Sequence, residues 1–168
     1  SGNAEGCTIS ISALGGITVR TTTTPQGQGH RTVIAQVVAD RLGVEPGAVD
    51  VLTDTDTATS PWTIASGNYS SRFSGVGAGA VAVAAERLAA KLAAIREHLG
   101  DENASLRRVA GTAHWNPESL PPELEPGLTV TAYYAAPNLL PPDDQERVAS
   151  SAAHGFVADV AVVEVDRL

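Results

Sequence analysis

The chain has 168 residues, 11 Lys plus Arg against 19 Asp plus Glu, 43% hydrophobic and 18% charged residues and a formal net charge of −8; this length suits one domain, and the composition excludes wholesale disorder. A pI near 4.8, without clustered Lys and Arg, argues against nucleic acid as a general partner, because neutralising phosphates needs such clusters. The single cysteine, Cys7, excludes an internal disulfide framework and a CxxC metal site and is expected to be buried packing, while the longest uncharged apolar run, Gly75 to Ala85, is too short to span a bilayer.

The opening Ser1-Gly2-Asn3-Ala4 has neither the basic nor the apolar region of a signal peptide, and a start without methionine suggests a piece of something longer. Residues 8–11 and 17–22 alternate apolar and polar around Gly15-Gly16, which predicts a β-hairpin. The segment Thr23-Thr24-Pro25-Gln26-Gly27-Gln28-Gly29-His30 follows as a loop. Ile34, Val37, Val38 and Leu42 then form the apolar stripe of a helix that ends at Gly43. A short strand is predicted over Val49 to Thr53, and a long aperiodic polar segment over Asp54 to Tyr69; a loop of that length in a compact domain is usually functional.

A second helix is carried by Val81, Ala84, Leu88, Leu92, Ile95 and Leu99 and stops at Gly100. Gly75, Gly77 and Gly79 weaken its start by about 1 kcal/mol each relative to Ala, so something is expected to approach that end closely. Alternation in Leu128 to Tyr134 and in Phe156 to Val165 predicts two more strands, with the Pro-rich stretch Pro117 to Pro126 and the loop Pro137 to Gln145 between elements. The fold class expected is α+β, with two main helices packed on a mixed, mostly antiparallel sheet.

Two segments, Gln26 to His30 and Ser70 to Ser74, place backbone amides and polar side chains at a helix start. There the first N–H groups lack partners and the dipole favours anions. Arg31 and Arg72 stand beside these two starts, so a phosphate-bearing ligand is compatible with an acidic chain. Gln26 and Gln28 add donors and acceptors suited to the edge of a pterin or a base. Gly27-x-Gly29 after a strand and before a helix, with Asp50 about 20 residues on, imitates a dinucleotide fingerprint. Its third position is Thr32, and the preceding strand reads as half of a hairpin rather than as the opening of a βαβ unit.

Asp54-Thr55-Asp56-Thr57 lacks the spacing of a calcium loop, and at least one of its residues is expected to cap a turn. His30, His98, His114 and His154 show no zinc spacing. The serines form no nucleophile elbow, and Trp62 and Trp115 are expected to pack.

The order of these segments resembles the molybdenum-binding large subunit of the xanthine dehydrogenase, aldehyde oxidase and carbon monoxide dehydrogenase family, and within it most the bacterial carbon monoxide dehydrogenase-like branch. The resemblance runs from about Ala4 to Asp166 and is carried by Pro25-Gln26-Gly27-Gln28-Gly29-His30, Ala35-Gln36-Val37-Val38-Ala39-Asp40-Arg41-Leu42-Gly43-Val44, Thr53-Asp54-Thr55-Asp56-Thr57, Gly67-Asn68-Tyr69-Ser70-Ser71-Arg72 and His154-Gly155-Phe156-Val157-Ala158-Asp159-Val160-Ala161. It implies that Gln26, Gly27, Gln28, Gly29 and His30, with Asp54, Thr55, Asp56, Ser70, Ser71 and Arg72, wrap a molybdopterin cytosine dinucleotide carrying molybdenum. It implies further that residues 1–168 are one cofactor-binding domain of a cytoplasmic oxidoreductase, with the other domains of the large subunit and with iron-sulfur and FAD subunits as partners. The family usually has Gly where Ser70 stands and a small residue or Thr where Phe73 stands. Its catalytic Gly-Glu pair does not occur in this sequence, so the isolated chain is expected to be catalytically inert. A degenerate assembly or interaction domain, and a nucleotide-binding module, are the alternative readings.

Overall fold

A computed structural model describes residues 4–140, 142–149, 151 and 155–166; Ser1-Gly2-Asn3 and His154 lie outside them. The hairpin forms as expected. Strands β1 (Ala4–Ile11) and β2 (Ile17–Thr21) pair antiparallel from Cys7 opposite Thr21 to Ile11 opposite Ile17. Cys7, Ile9, Ile11, Ile17 and Val19 point into the core, because alternate residues of a strand share a face. Helix α1 (His30–Leu42) follows, and Gly43 ends it in the left-handed conformation with φ 67°. Strand β3 (Val49–Leu52) stops one residue short of the expected Thr53.

The sheet has four strands in the order β3-β2-β1-β4, with β4 (Leu128–Ala135) antiparallel to β1. β2 and β3 pair in parallel, so β2 is at once half of a hairpin and the opening of a βαβ unit. The contrast drawn from sequence between those two roles therefore does not hold. Parallel pairing puts the ends of β2 and β3 together, and antiparallel pairing brings the start of β1 and the end of β4 to the same edge. Three of the four strands, β2, β3 and β4, thus present their carboxyl ends at this edge, the end beyond which ligands bind in α/β sheets.

The second helix opens as a π-helical turn, Phe73–Gly77, and continues as α2 (Ala78–His98), which lies across β1 and β4 and packs on α1. Its small residues accommodate the chain itself. A Cβ on Gly79 would stand 2.5 Å from the Tyr134 ring, and one on Gly77 would stand 3.3 Å from the Thr23 methyl. A third helix, α3 (Leu106–Trp115), was not anticipated. Its signal was present: Val109, Ala110 and Ala113 are buried at helical spacing, and the Ser105 hydroxyl accepts from the Arg108 N–H at 3.2 Å, a regular N-cap.

Two expectations fail. Phe156 to Val165 is not a strand: it lies exposed, Phe156 at 96%, because alternation states which face a strand would bury but supplies no neighbouring edge to pair with. Trp115 is 71% exposed at the end of α3, and Trp62 is partly exposed, with its indole N–H donated to the Thr57 carbonyl at 3.1 Å. Cys7 is buried as expected, and desolvation pushes its thiol pKa up to about 12. Among the described residues no helix is long and apolar enough to cross a membrane.

Candidate cofactor site

The loop after β2 and the segment before α2 meet at the shared sheet edge. They enclose a cleft of about 380 Å³ lined by Gln28, His30, Asn68, Tyr69, Ser70, Ser71, Phe73 and Ser74. The two helix starts nominated from sequence thus face one cavity. None of the lining side chains is Asp, Glu, Lys or Arg, so local positive potential comes from backbone dipoles rather than formal charge.

How the helices begin is informative. Gly29, the residue ahead of α1, is left-handed at φ 75° and offers no side-chain cap, and no acidic residue occupies the first turn. The π-helical turn at Phe73 likewise has neither a side-chain cap nor an acidic first turn. α3, remote from the cleft, is capped by its own serine. Helix starts without such a cap leave donors for another acceptor.

His30 is buried and stacks on Phe73 with ring centroids 3.8 Å apart and planes 11° apart. Its Nδ1 has no hydrogen-bond partner, and the Asn68 amide nitrogen is also unpartnered. Polar atoms orphaned in this way cost free energy unless a further group satisfies them. The Gln28 carboxamide oxygen accepts from the Gln26 backbone N–H at 2.5 Å, a bond that orders the loop while its amide N–H donors are not used in it. Gly27 takes φ 97°, and a Cβ at Gly27 or Gly29 would meet nothing within 4 Å.

On the opposite wall, Ser70 and Ser71 hold φ of 51° and 50°, a left-handed conformation costly for residues with a Cβ. Gly67 N–H donates to the Glu5 carboxylate at 3.2 Å. Arg72 donates to the same carboxylate at 2.8 Å and to the carbonyls of Ala65 and Ala4 at 2.5 and 3.1 Å. Thr22 and Ser66 hydroxyls donate to the other carboxylate oxygen at 2.9 and 3.0 Å.

Arg72 therefore does not line the cleft. It is 4% exposed and Glu5 1% exposed; a guanidinium so far from water needs a carboxylate and carbonyls as partners, which Nη1 and Nη2 have here, while Nε is buried without one. Within this chain, Arg72 is engaged in an internal ion pair with Glu5. Arg31 is also engaged within the chain, donating from Nε and Nη2 to the Thr53 hydroxyl at 3.2 and 3.1 Å.

Asp54, Thr55 and Asp56 are exposed and outside the cleft lining. Asp56 accepts from the Thr59 hydroxyl at 2.5 Å and from the Ala58 N–H at 2.9 Å, and these bonds, Thr59 first, lower its pKa below the ordinary carboxylate value. It caps a turn, the role expected for at least one residue of this run. Among the described residues no three His, Cys, Asp or Glu side chains converge as a metal site.

Glu5 is the residue that sequence reasoning missed. An acidic side chain within the alternating opening of β1, on the same face as Cys7 and Ile9, was the available signal, since a carboxylate on a core face demands partners.

Comparison with known proteins places the chain in a family. A family model described as a molybdopterin cofactor-binding domain matches residues 1–168. The chain is 33% identical to the carbon monoxide dehydrogenase large chain of Hydrogenophaga pseudoflava over 99% of its own length and 21% of that relative. It is 28% identical to the nicotine 6-hydroxylase large subunit of Paenarthrobacter nicotinovorans over 74% of its length and 17% of that relative. Among solved structures, the reconstituted CO dehydrogenase from Oligotropha carboxidovorans aligns with a TM-score of 0.69 at 30% identity, covering 80% of this chain and 18% of that one. The quinoline 2-oxidoreductase of Pseudomonas putida 86 aligns with a TM-score of 0.70 at 26% identity, covering 80% of this chain and 19% of that one. The chain thus spans about a fifth of the length of the curated relatives it matches.

Proposed function

The chain belongs to the molybdopterin cofactor-binding domain family, and on that premise we propose that its cleft holds an anionic part of a molybdopterin cofactor, in the cytosine dinucleotide form. The parent protein we propose is the large subunit of a cytoplasmic molybdenum hydroxylase of the carbon monoxide dehydrogenase type, with residues 1–168 as one cofactor-binding domain. Its partners are the remaining domains of that subunit and iron-sulfur and FAD subunits. The observation that carries the reading is that two helix starts without side-chain caps or acidic first turns open onto one cleft.

The residues present fit such a group. The orphaned His30 Nδ1 and Asn68 amide, the glycine loop with nothing within 4 Å of an added Cβ, and a lining without Asp or Glu all suit an anion with a polar edge. Gln26 to His30 bind from one wall and Ser70 with Ser71 from the other. The backbone N–H groups of the first turns hold the negative charge, and the Gln28 amide donates to the polar edge. His30, fixed by its stack on Phe73, excludes water from the base of the cleft. The cofactor, when bound, supplies the two-electron redox chemistry; this chain's residues bind and orient it.

The test is an NMR titration of the 168-residue chain with cytidine diphosphate. Weak binding, on the order of millimolar, is expected because the rest of the site lies on other domains. Amide shifts should concentrate at Gly27 to Thr32 and at Asn68 to Ser74, and Gln28→Glu should abolish them. Shifts elsewhere, or none, would refute the reading. Turnover of an aldehyde or an N-heterocycle by this chain alone would refute its catalytic inertness.

A further inference from the structure

Glu5 lies at the start of β1, far along the chain from the cleft segments, and does not line the cleft. Its Oε1 accepts from Gly67 N–H and from Arg72. Those two residues bracket Asn68, Tyr69, Ser70 and Ser71, the four consecutive residues of one cleft wall. The other oxygen, Oε2, accepts from Thr22, which opens the loop leading to the opposite wall, and from Ser66. One carboxylate therefore grips both flanks of one wall and the root of the other.

The wall needs such a grip. Ser70 and Ser71 are both left-handed, and two successive L-residues persist in that conformation only where their surroundings over-determine it. Tyr69 contributes a second restraint: its hydroxyl donates to the Ala65 carbonyl at 2.6 Å, and the Arg72 guanidinium sits over its ring at 4.8 Å. These restraints also converge on Arg72, whose orientation Glu5 sets.

We propose that Glu5 is a positioning residue of the cleft, which acts through Arg72 and the Gly67 amide to hold the wall Asn68–Ser71 in its anion-accepting shape against the helix start at His30. The proposal deepens the cofactor-site reading and rests on it for the identity of the ligand, not for the ordering of the wall.

The experiment compares the wild-type chain with Glu5→Gln and Arg72→Lys by residue-resolved amide hydrogen exchange and by titration with cytidine diphosphate. Glu5→Gln preserves size but sets an amide N–H against existing donors. Arg72→Lys keeps the charge but cannot reach the carboxylate and both carbonyls together. Exchange is expected to rise at least tenfold over residues 67–73 in both variants while β1, β2 and α2 keep their protection, and the dissociation constant is expected to rise at least tenfold. A rise spread evenly over the whole domain would assign Glu5 to general stability and overturn the proposal, as would unchanged exchange at 67–73. Should Glu5→Gln fail to fold, Arg72→Lys decides by the same readouts. If the wild-type chain shows no shifts with the diphosphate, the cofactor reading fails, and the exchange pattern still judges the role of Glu5.

Discussion

The left-handed Ser70 offers a direct measure of the strain stored in the cleft wall. Ser70 has φ 51° and is exposed, so replacing it by glycine removes a Cβ from a conformation that costs an L-residue roughly 1–2 kcal/mol. Glycine returns part of this, about 0.4–1 kcal/mol, through the greater freedom of the unfolded chain. The net expected for Ser70→Gly is a gain of about 0.5–1 kcal/mol. For a domain of this size that corresponds to a rise of roughly 1–4 °C in Tm. Ser70→Ala is the matched control, since it removes the hydroxyl and leaves the Cβ in place; it should not raise Tm. Calorimetry of the three proteins at one pH, with urea unfolding to check that the m value is unchanged, separates strain from any loss of compactness. A Ser70→Gly protein no more stable than Ser70→Ala would show that Ser70 bears no strain and would refute the reasoning.

Two further outcomes follow from the titrating groups. The Cys7 thiol, at about 12 against an ordinary 9.0, holds about a thousandfold less thiolate at pH 8 than a free cysteine does; iodoacetamide should leave the native chain unlabelled and modify it readily in urea, and rapid native labelling would contradict the burial. Asp56 is lowered by the Thr59 and Ala58 bonds, so the turn it caps is stabilised above the ordinary carboxylate pKa and loses that stabilisation as pH falls through the depressed value. An NMR titration of its carboxyl should give a midpoint below 3.8, and Thr59→Ala should move that midpoint upward; no movement would assign the shift to another cause.

Local rules made much of the molecule legible. The stripe at Ile34, Val37, Val38 and Leu42 with Gly43 beyond it, the hairpin around Gly15-Gly16 and the polar stretch after β3 each depend on residues a few positions apart, and each is present in the structure, the hairpin with a first strand that begins at Ala4 and a second that ends at Thr21. The third helix was obscured because its buried face is built mainly of Val109, Ala110 and Ala113, a stripe too short and too small-sided to stand out. Phe156 to Val165 misled for the opposite reason: its alternation is strong, and a strand also needs an edge that the local sequence does not contain.

For the site, the sequence by itself determined which segments can offer uncapped amides: glycine at 27 and 29 ahead of one helix, serines ahead of the other, and no Asp or Glu in either first turn. Only the tertiary structure decided that these starts share a cleft and that Arg72, 67 residues from Glu5, turns inward to it instead of outward to a ligand. Capping and periodicity act along a few residues of chain, whereas the partner of a buried charge is chosen by contacts that exist only once β1, the loop after β3 and α2 have packed at one edge of the sheet.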